Sequence, residues 1–467
     1  MTIRFRLNQQ EVVVNGVDPH TSLLHFLRAQ GHTGTKEGCA EGECGACAVA
    51  VVRQGPDGKP RYVPINSCLV LLPAVHGAEL VTVEGIAGDE LHPVQDAMVA
   101  KGGSQCGYCT PGFVVSLFTE FYREGRQPGE VDPEAISGNL CRCTGYRPIR
   151  EALASLPLPA KDDTHKVRLT QHQPVATGLS YEEGEVCFER PTNLERLFTL
   201  LDRHPTAKLI AGGTDIVVEV NQRDSRWDVF VSLEAVAELR GIEETPDHIR
   251  IGAGVPLSEV EEVLHGKIRI FDELFPLFSS RLIRNRATFG GNLVNGSPIG
   301  DGAPALLGLD AGVEVASRDA ERLVPLADFF TGYRKTVLEH GEVVKGIRIP
   351  KPLPTLQRFF KVSKRVMDDI STVAAGMGLW LDDHGVITKA RLGYGGVAAT
   401  PVRARAAEAA LVGQVFDHAA VARALPALKQ AFTPIDDHRG SAAYRAAMVP
   451  RLFEKFEAES HPAEAAE

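Results

Sequence analysis

Eight of the nine cysteines in this 467-residue chain fall between Cys39 and Cys143, and Cys187 stands alone beyond them. They form two groups of four. Cys39, Cys44 and Cys47 follow a C-x4-C-x2-C spacing inside "EGCAEGECGAC", and Cys68 follows after twenty intervening residues. Cys106 and Cys109 in "QCGYCTPGF" are matched by Cys141 and Cys143 in "GNLCRCTGYRPI". Thiols gathered this way pin their loops around whatever they bind, so the path of the first 150 residues is constrained at eight points.

What the thiols bind depends on the compartment. The opening "MTIRFRLNQQEVVVNG" alternates apolar and polar residues like a strand, with Asn15-Gly16 as a turn signal, and lacks the apolar core of a signal peptide. No apolar run approaches the roughly 20 residues that span a bilayer. The expected location is the cytoplasm, where thiols stay reduced and clustered cysteines bind metal or do redox chemistry. A net charge of −10 with no basic cluster excludes a nucleic-acid footprint.

The first quartet has the plant-type spacing of a two-iron, two-sulfur cluster. Gly38, Gly42 and Gly45 supply the positive φ angles and close approach that wrapping an inorganic core demands. A four-cysteine zinc site ordinarily uses pairs two to four residues apart, and buried core cysteines have no reason to recur at this spacing. The second quartet is open between zinc and a second cluster when read alone. Helix-like sequence follows each of its pairs: Phe113, Val114, Leu117, Phe118 and Phe121 recur at three and four, and Pro148 suits a first turn. Each pair is therefore expected at a helix N-terminus, where partial positive charge lowers thiol pKa. Two adjacent clusters relay single electrons, whereas two zinc ions make only scaffold.

Length predicts three or four domains. The proline- and charge-rich stretch 161–185 after "YRPIREALASL" reads as a linker. Beyond it, strand-like "KLIAGG" and "HIRIGAG" alternate with helical "LERLFTLLDRH", an α+β or α/β mixture. "IPKPLPTLQ" marks a second break, helical "RARAAEAALVGQ" and "YRAAMVPRLFEKFEAE" close the C-terminal domain, and the tail "ESHPAEAAE" is expected to fray. In "KLIAGGTDIVVE", Gly212 and Gly213 can bring backbone N–H groups to a pyrophosphate, with Thr214 as a further donor, although the motif is weak by itself and a simple tight turn is the commoner account. "RNRATFGGNLVNGSPIGDGAPAL" repeats the pattern with Gly290, Gly291, Asn292, Ser297 and Asp301, the last suited to a ribose hydroxyl or to turn capping. A flavin fits such a site, since it takes electrons in pairs and exchanges them singly with clusters.

These motifs, over residues 1 to about 445, resemble the iron–sulfur and flavin portions of the molybdenum hydroxylases, the xanthine oxidase family. The resemblance implies a multidomain α+β chain: a ferredoxin-like β-grasp [2Fe-2S] domain (1–85), a helical [2Fe-2S] domain (86–160), a linker (161–185), an FAD domain of the vanillyl-alcohol-oxidase type (186–350) and an α/β C-terminal domain (351–460). It implies one cluster on Cys39, Cys44, Cys47 and Cys68, and another on Cys106, Cys109, Cys141 and Cys143. It places FAD against Lys208, Leu209, Ile210, Ala211, Gly212, Gly213, Thr214, Asp215, Ile216, Ala287, Thr288, Gly291, Asn292, Asp301 and Lys361, and Phe278 near the isoalloxazine, where a core phenylalanine is the plainer reading. Tyr333, Asp368 and Asp369 fall on the NAD side, the acidic pair being otherwise a solvated one, and Gln105 lies toward the pterin of a partner. Nothing in the sequence resembles a pterin-binding domain. The implied role is electron transfer for a purine hydroxylase: a large molybdenum-cofactor subunit, in an α2β2 assembly, oxidises hypoxanthine or xanthine, and electrons pass through the two clusters and FAD to NAD+. Aldehyde, N-heterocycle or carbon monoxide oxidation by a related enzyme is one alternative, and a zinc-bound interaction module on a nucleotide-binding scaffold is another.

Overall fold

Alternation along the first strand places Ile3, Phe5 and Leu7 on one buried face and charge on the other. In the computed structural model, which describes residues 2–171 and 177–460, this strand β1 (Ile3–Leu7) pairs with β2 (Gln10–Val14) across Asn8-Gln9. Both turn residues have positive φ, as a two-residue hairpin of matching twist requires. The turn therefore lies earlier than the Asn15-Gly16 signal, whose glycine bends the chain beyond β2. With β3 (Ala48–Gln54), β4 (Pro60–Asn66) and β5 (Glu79–Val81) the sheet runs β2-β1-β5-β3-β4, β1 and β5 being parallel. Helix α1 (Leu23–Ala29), capped by Ser22, buries Leu23, Leu24, Phe26 and Leu27, which share one hydrophobic core with the sheet's Ile3, Phe5 and Leu7 in a β-grasp.

Helices follow: α2 (Pro93–Ala100), α3 (Thr110–Phe121) and α4 (Arg147–Ala154). Every residue of α3 from Gly112 onward is buried, as expected of a helix that is apolar all round. Part of the stretch 161–185 is not a linker. It holds α5 (Thr164–Gln171), whose His165 is buried against the rings of Tyr62 and Phe118, and the start of β6. Residues 172–176 of that stretch, and the tail from 461, lie outside the described residues. Then β6 (Leu179–Glu183), β7 (Val186–Arg190), α6 (Leu194–Arg203), β8 (Lys208–Ile210), α7 (Ile216–Arg223) and β9 (Val229–Ser232) form a sheet ordered β6-β7-β9-β8, with parallel pairs joined through helices.

By compactness the chain divides into two units: residues 1–237 with 280–287, and residues 238–279 with 288–467. In the first unit the β-grasp and the β6–β9 sheet share one core, where Tyr181, Phe188, Ile210 and Phe230 join Phe5 and Leu23. The segment 280–287 is bound into it by ion pairs from Arg284 to Glu134 (2.6 Å) and Arg281 to Asp132 (2.7 Å). The second unit has a five-stranded antiparallel sheet (Ile242–Glu244, His248–Gly252, Val343–Pro350, Gly312–Ala316 and Glu321–Pro325, in that order) and a four-stranded meander from Leu356 to Arg403. Helix Gly302–Gly308 lies on the meander where Gly376, Gly378 and Gly393 leave room for its backbone. The C-terminal helices Arg405–Leu411, His418–Lys429 and Ala442–Ser460 cover the meander. No helix among the described residues is long and apolar enough to cross a membrane.

Candidate cofactor sites

The first quartet sits between α1 and β3, with Cys68 in a single turn after β4. Its loop turns through left-handed residues at Ala40 (φ 57°), Gly42 (86°) and Gly45 (68°). The sequence expectation assigned one of these to Gly38; instead Gly38 is required because a Cβ there would lie 2.7 Å from Cys44 Sγ, and Ala40 takes the left-handed conformation. Backbone N–H groups face inward, Cys44 N donating to Cys39 Sγ at 3.4 Å. Cys47 and Cys68, both buried, have sulfurs 3.3 Å apart. A hydrogen bond from Cys44 holds the Cys39 thiol down to about 5 and raises Cys44 in turn, and Cys47 is lowered against a raised Cys68, so each pair has one sulfur that favours thiolate.

The second quartet is at the surface. Cys109 caps α3 as expected, and Cys141 and Cys143 precede α4, where Tyr146 (φ 67°) turns the chain. Cys106, Cys143 and the neighbouring Gln105 are exposed. The sulfurs pair again, Cys106 with Cys143 and Cys109 with Cys141. Each pair has one thiol held low and one raised: the Tyr108 N–H and the Cys143 thiol lower Cys106, and Cys143 is raised in turn. Burial, with Cys141 beside it, pushes the Cys109 thiol up to about 12. Burial also opposes ionisation of Cys141, but the hydroxyl (3.0 Å) and N–H (3.4 Å) of Thr144 overcome it and hold that thiol low.

This pairing bears on the choice left open by spacing. A tetrahedral zinc with Zn–S of about 2.3 Å brings all four sulfurs within roughly 3.8 Å of one another. Among the described residues no group of three or more His, Cys, Asp or Glu converges to hold a single ion. Two close pairs per quartet instead suit two irons that take two thiolates each.

Within the first unit, β8 ends at Gly212-Gly213 and Asp215 begins α7. Gly213 has φ 79°. Gly212 is a packing glycine: a Cβ would overlap the Arg286 carbonyl, and Arg286 Nε donates to the Gly212 carbonyl at 2.8 Å. Lys208 stacks its ammonium 4.8 Å above the Trp227 ring, and Ala287 closes the short turn after Arg284. The turn abuts the first quartet, since Gly213 approaches the Leu69 carbonyl, next to Cys68.

Within the second unit, Thr288 caps helix Phe289–Val294 by accepting from Gly291 N at 3.0 Å. Gly290 again serves packing, a Cβ falling 2.6 Å from the Ala253 carbonyl, whereas Gly291 is exposed with only the Thr288 hydroxyl nearby. Asn292 Oδ1 is buried without a hydrogen-bond partner, an acceptor position a bound ligand would satisfy. Asp301 is more than a cap. Its carboxylate accepts from Lys361 Nζ (2.8 Å) and from Ser371 (2.5 Å), and Lys361 also donates to the Leu277 carbonyl (2.7 Å). Burial pushes the Asp301 carboxyl up while Lys361 pulls it back. Phe278 is buried, and Tyr333 is exposed. Asp368 adopts φ 49°, and Asp369 accepts from Arg365 N (2.8 Å) and Ile370 N (2.9 Å), which hold its carboxyl low against partial burial. Asp369 is therefore a turn-closing residue rather than a solvated charge. Ser371, Arg286 and the amides of Asn66, Asn221 and Gln222 around the first loop escape the sequence reading, because no spacing marks them.

Four families match consecutive stretches. Residues 5–72 match the "2Fe-2S iron-sulfur cluster binding domain", 82–154 the "[2Fe-2S] binding domain", 182–352 the "FAD binding domain in molybdopterin dehydrogenase", and 358–460 the "CO dehydrogenase flavoprotein C-terminal domain". The chain thus carries two iron–sulfur domains and a flavin domain, and it belongs to the molybdenum hydroxylase family. Its relatives include xanthine dehydrogenase of Emericella nidulans (33% identical, 97% of this chain, 38% of that protein) and xanthine dehydrogenase/oxidase of Gallus gallus (32%, 86% and 35%). The chain spans little more than a third of the length of these relatives. Among solved structures, carbon monoxide dehydrogenase from Hydrogenophaga pseudoflava superposes with a TM-score of 0.55 (28% identity, 57% of this chain, 94% of that one). Quinoline 2-oxidoreductase from Pseudomonas putida 86 does so with 0.53 (26%, 58% and 95%).

Proposed function

We propose that this chain is the electron-transfer part of a xanthine dehydrogenase, working with a molybdenum-cofactor partner and delivering electrons to NAD+. One observation carries the reading: the loop of the first cysteine quartet is packed against the Gly212-Gly213 turn and helix α7, which lie within the flavin-domain match, while Cys106 and Cys143 of the second quartet are exposed. An exposed pair of ligands suits receipt of electrons from another protein, and a quartet with two buried cysteines beside the flavin segment suits their onward passage. When bound, the clusters carry electrons singly and FAD exchanges them in pairs.

The chain's own residues supply the setting. Cysteine pairs hold iron, and inward N–H groups stabilise the anionic centre. Within the first unit the Gly213 turn offers N–H groups to phosphate; within the second the orphaned Asn292 oxygen, beside the exposed Gly291, offers an acceptor to a ligand N–H or hydroxyl. Asp301 is fixed by Lys361 and Ser371 so that a remaining lone pair can accept from a ribose hydroxyl. Tyr333, Asp368 and Asp369 are assigned to the NAD side and Gln105 to the partner's pterin, on the resemblance alone. The names of the curated relatives favour a purine substrate, whereas the solved neighbours favour a carbon monoxide or N-heterocycle hydroxylase with the same relay.

Purified chain loaded with iron, sulfide and FAD is expected to reduce artificial acceptors with NADH and to leave xanthine untouched until the larger partner is added. Oxidation of xanthine by the chain alone would overturn the division of labour. Failure of NADH to reduce the bound flavin would overturn the NAD assignment.

A further inference from the structure

A loop that turns its N–H groups toward its sulfurs turns carbonyls away from them, and those carbonyls need donors. Around the first quartet the donors include four side-chain amides, of which Asn139 Nδ2 donates to the Gly45 carbonyl at 3.2 Å. Asn221 Nδ2 donates to the Ala40 carbonyl at 2.9 Å and to the Cys68 carbonyl at 2.8 Å, using both of its hydrogens. Gln222 Nε2 donates to the Cys39 carbonyl at 2.8 Å. Asn66, at the end of β4, donates to the Gly42 carbonyl at 2.8 Å. Two of the four, Asn221 and Gln222, come from α7, the helix that follows the Gly212-Gly213 turn, and they reach one cysteine from each sulfur pair. Ala40, held by Asn221, is the left-handed residue with a side chain in this loop, a conformation that costs energy unless its surroundings enforce it.

We propose that Asn221 and Gln222 are positioning residues for the first cluster: from the flavin domain they hold the backbones of Cys39, Ala40 and Cys68 so that the loop's N–H groups face the sulfurs, and they thereby raise the cluster's reduction potential. This rests on the cluster and flavin assignments made above. Hydrogen bonds to the sulfurs and exclusion of solvent are among the factors that set such potentials. A loop freed from its amides loses inward N–H contacts, and its cluster becomes harder to reduce. The second cluster, whose cysteines sit at the starts of α3 and α4, should not respond.

The test uses the full chain reconstituted with iron, sulfide and FAD. Iron and flavin contents are measured, then each cluster is titrated by electron paramagnetic resonance, with Cys143→Ser identifying the second cluster's signal. At the potential where the parent's first cluster is half reduced, Asn221→Leu is expected to lower its reduced-to-oxidised ratio at least threefold and to leave the second cluster unmoved. Gln222→Met, at an exposed position, should shift the ratio in the same direction by less, and Asn221→Gln, which keeps the amide, should recover part of the loss. If Asn221→Leu does not fold or does not take up iron, Gln222→Met decides by the same ratio. Unchanged first-cluster titrations at full iron content, or equal shifts of both clusters, would overturn the proposal. Parent chain that takes up iron but no FAD would instead overturn the flavin reading, since the cluster ratio is measured independently of flavin.

Discussion

Glycines that look alike in sequence separate by what a side chain would meet. Gly212 and Gly290 are the ones a phosphate motif would emphasise, yet both are required by neighbouring backbone, the Arg286 and Ala253 carbonyls respectively. Gly291 is confined by little but the Thr288 hydroxyl at 3.3 Å. Gly212→Ala is therefore expected to destabilise the fold by about 1–3 kcal/mol through overpacking, read from the denaturant midpoint of the flavin-free chain. Gly291→Ala should leave that midpoint unchanged or slightly higher, since alanine favours helix by up to about 1 kcal/mol over glycine. It should weaken FAD binding in a flavin titration. Equal loss of stability in both variants would contradict this separation. The cysteines were legible because cluster chemistry fixes their spacing. Ala40 as a left-handed residue was not, because the amide that binds its carbonyl, Asn221, lies 181 residues away in sequence.

Among elements, α3 and α4 could be read from period and caps, and the Cys109 cap followed from where the apolar period begins. Helix α5 could not, because its formation depends on tertiary burial of His165 beside Tyr62, which its polar sequence does not announce. The same cluster carries a pH dependence. His92 caps α2 by accepting from Val94 N (3.3 Å) and shares a hydrogen bond with the Tyr122 hydroxyl (2.9 Å). Burial, reinforced by the charge of nearby His165, lowers its pKa to about 4. The unfolded chain takes up a proton near pH 6.5 that the folded chain refuses until about pH 4, so this contribution to stability is intact above pH 6.5 and is lost as the pH falls through that window. His165, lowered for the same reason of burial, adds in the same direction. Hydrogen exchange of the α3 amides is expected to quicken relative to pH 7 on acidification to pH 5, after correction for intrinsic rates. His92→Asn, which keeps a cap acceptor, should flatten that dependence; an unchanged slope would count against the assignment.

At the scale of the molecule, the sequence divides into a cysteine-rich and a cysteine-poor portion, and the family matches follow that division in four consecutive stretches. Compactness divides the chain elsewhere. The β6–β9 sheet and segment 280–287 belong with the iron–sulfur half, because they share its hydrophobic core and its ion pairs, and the flavin-domain match at 182–352 contributes to both units. Composition along a chain cannot reveal this, since it records local chemistry and not which surfaces later share a core. The account depends on eight thiolates holding two dinuclear centres. Metal and acid-labile sulfide analysis of anaerobically purified, folded chain, with Mössbauer spectroscopy on iron-57 material, tests that most directly. About four irons and four sulfides per chain, in two distinguishable [2Fe-2S] environments, are predicted. A folded preparation that is colourless and iron-free, or that carries zinc on either quartet, would contradict it.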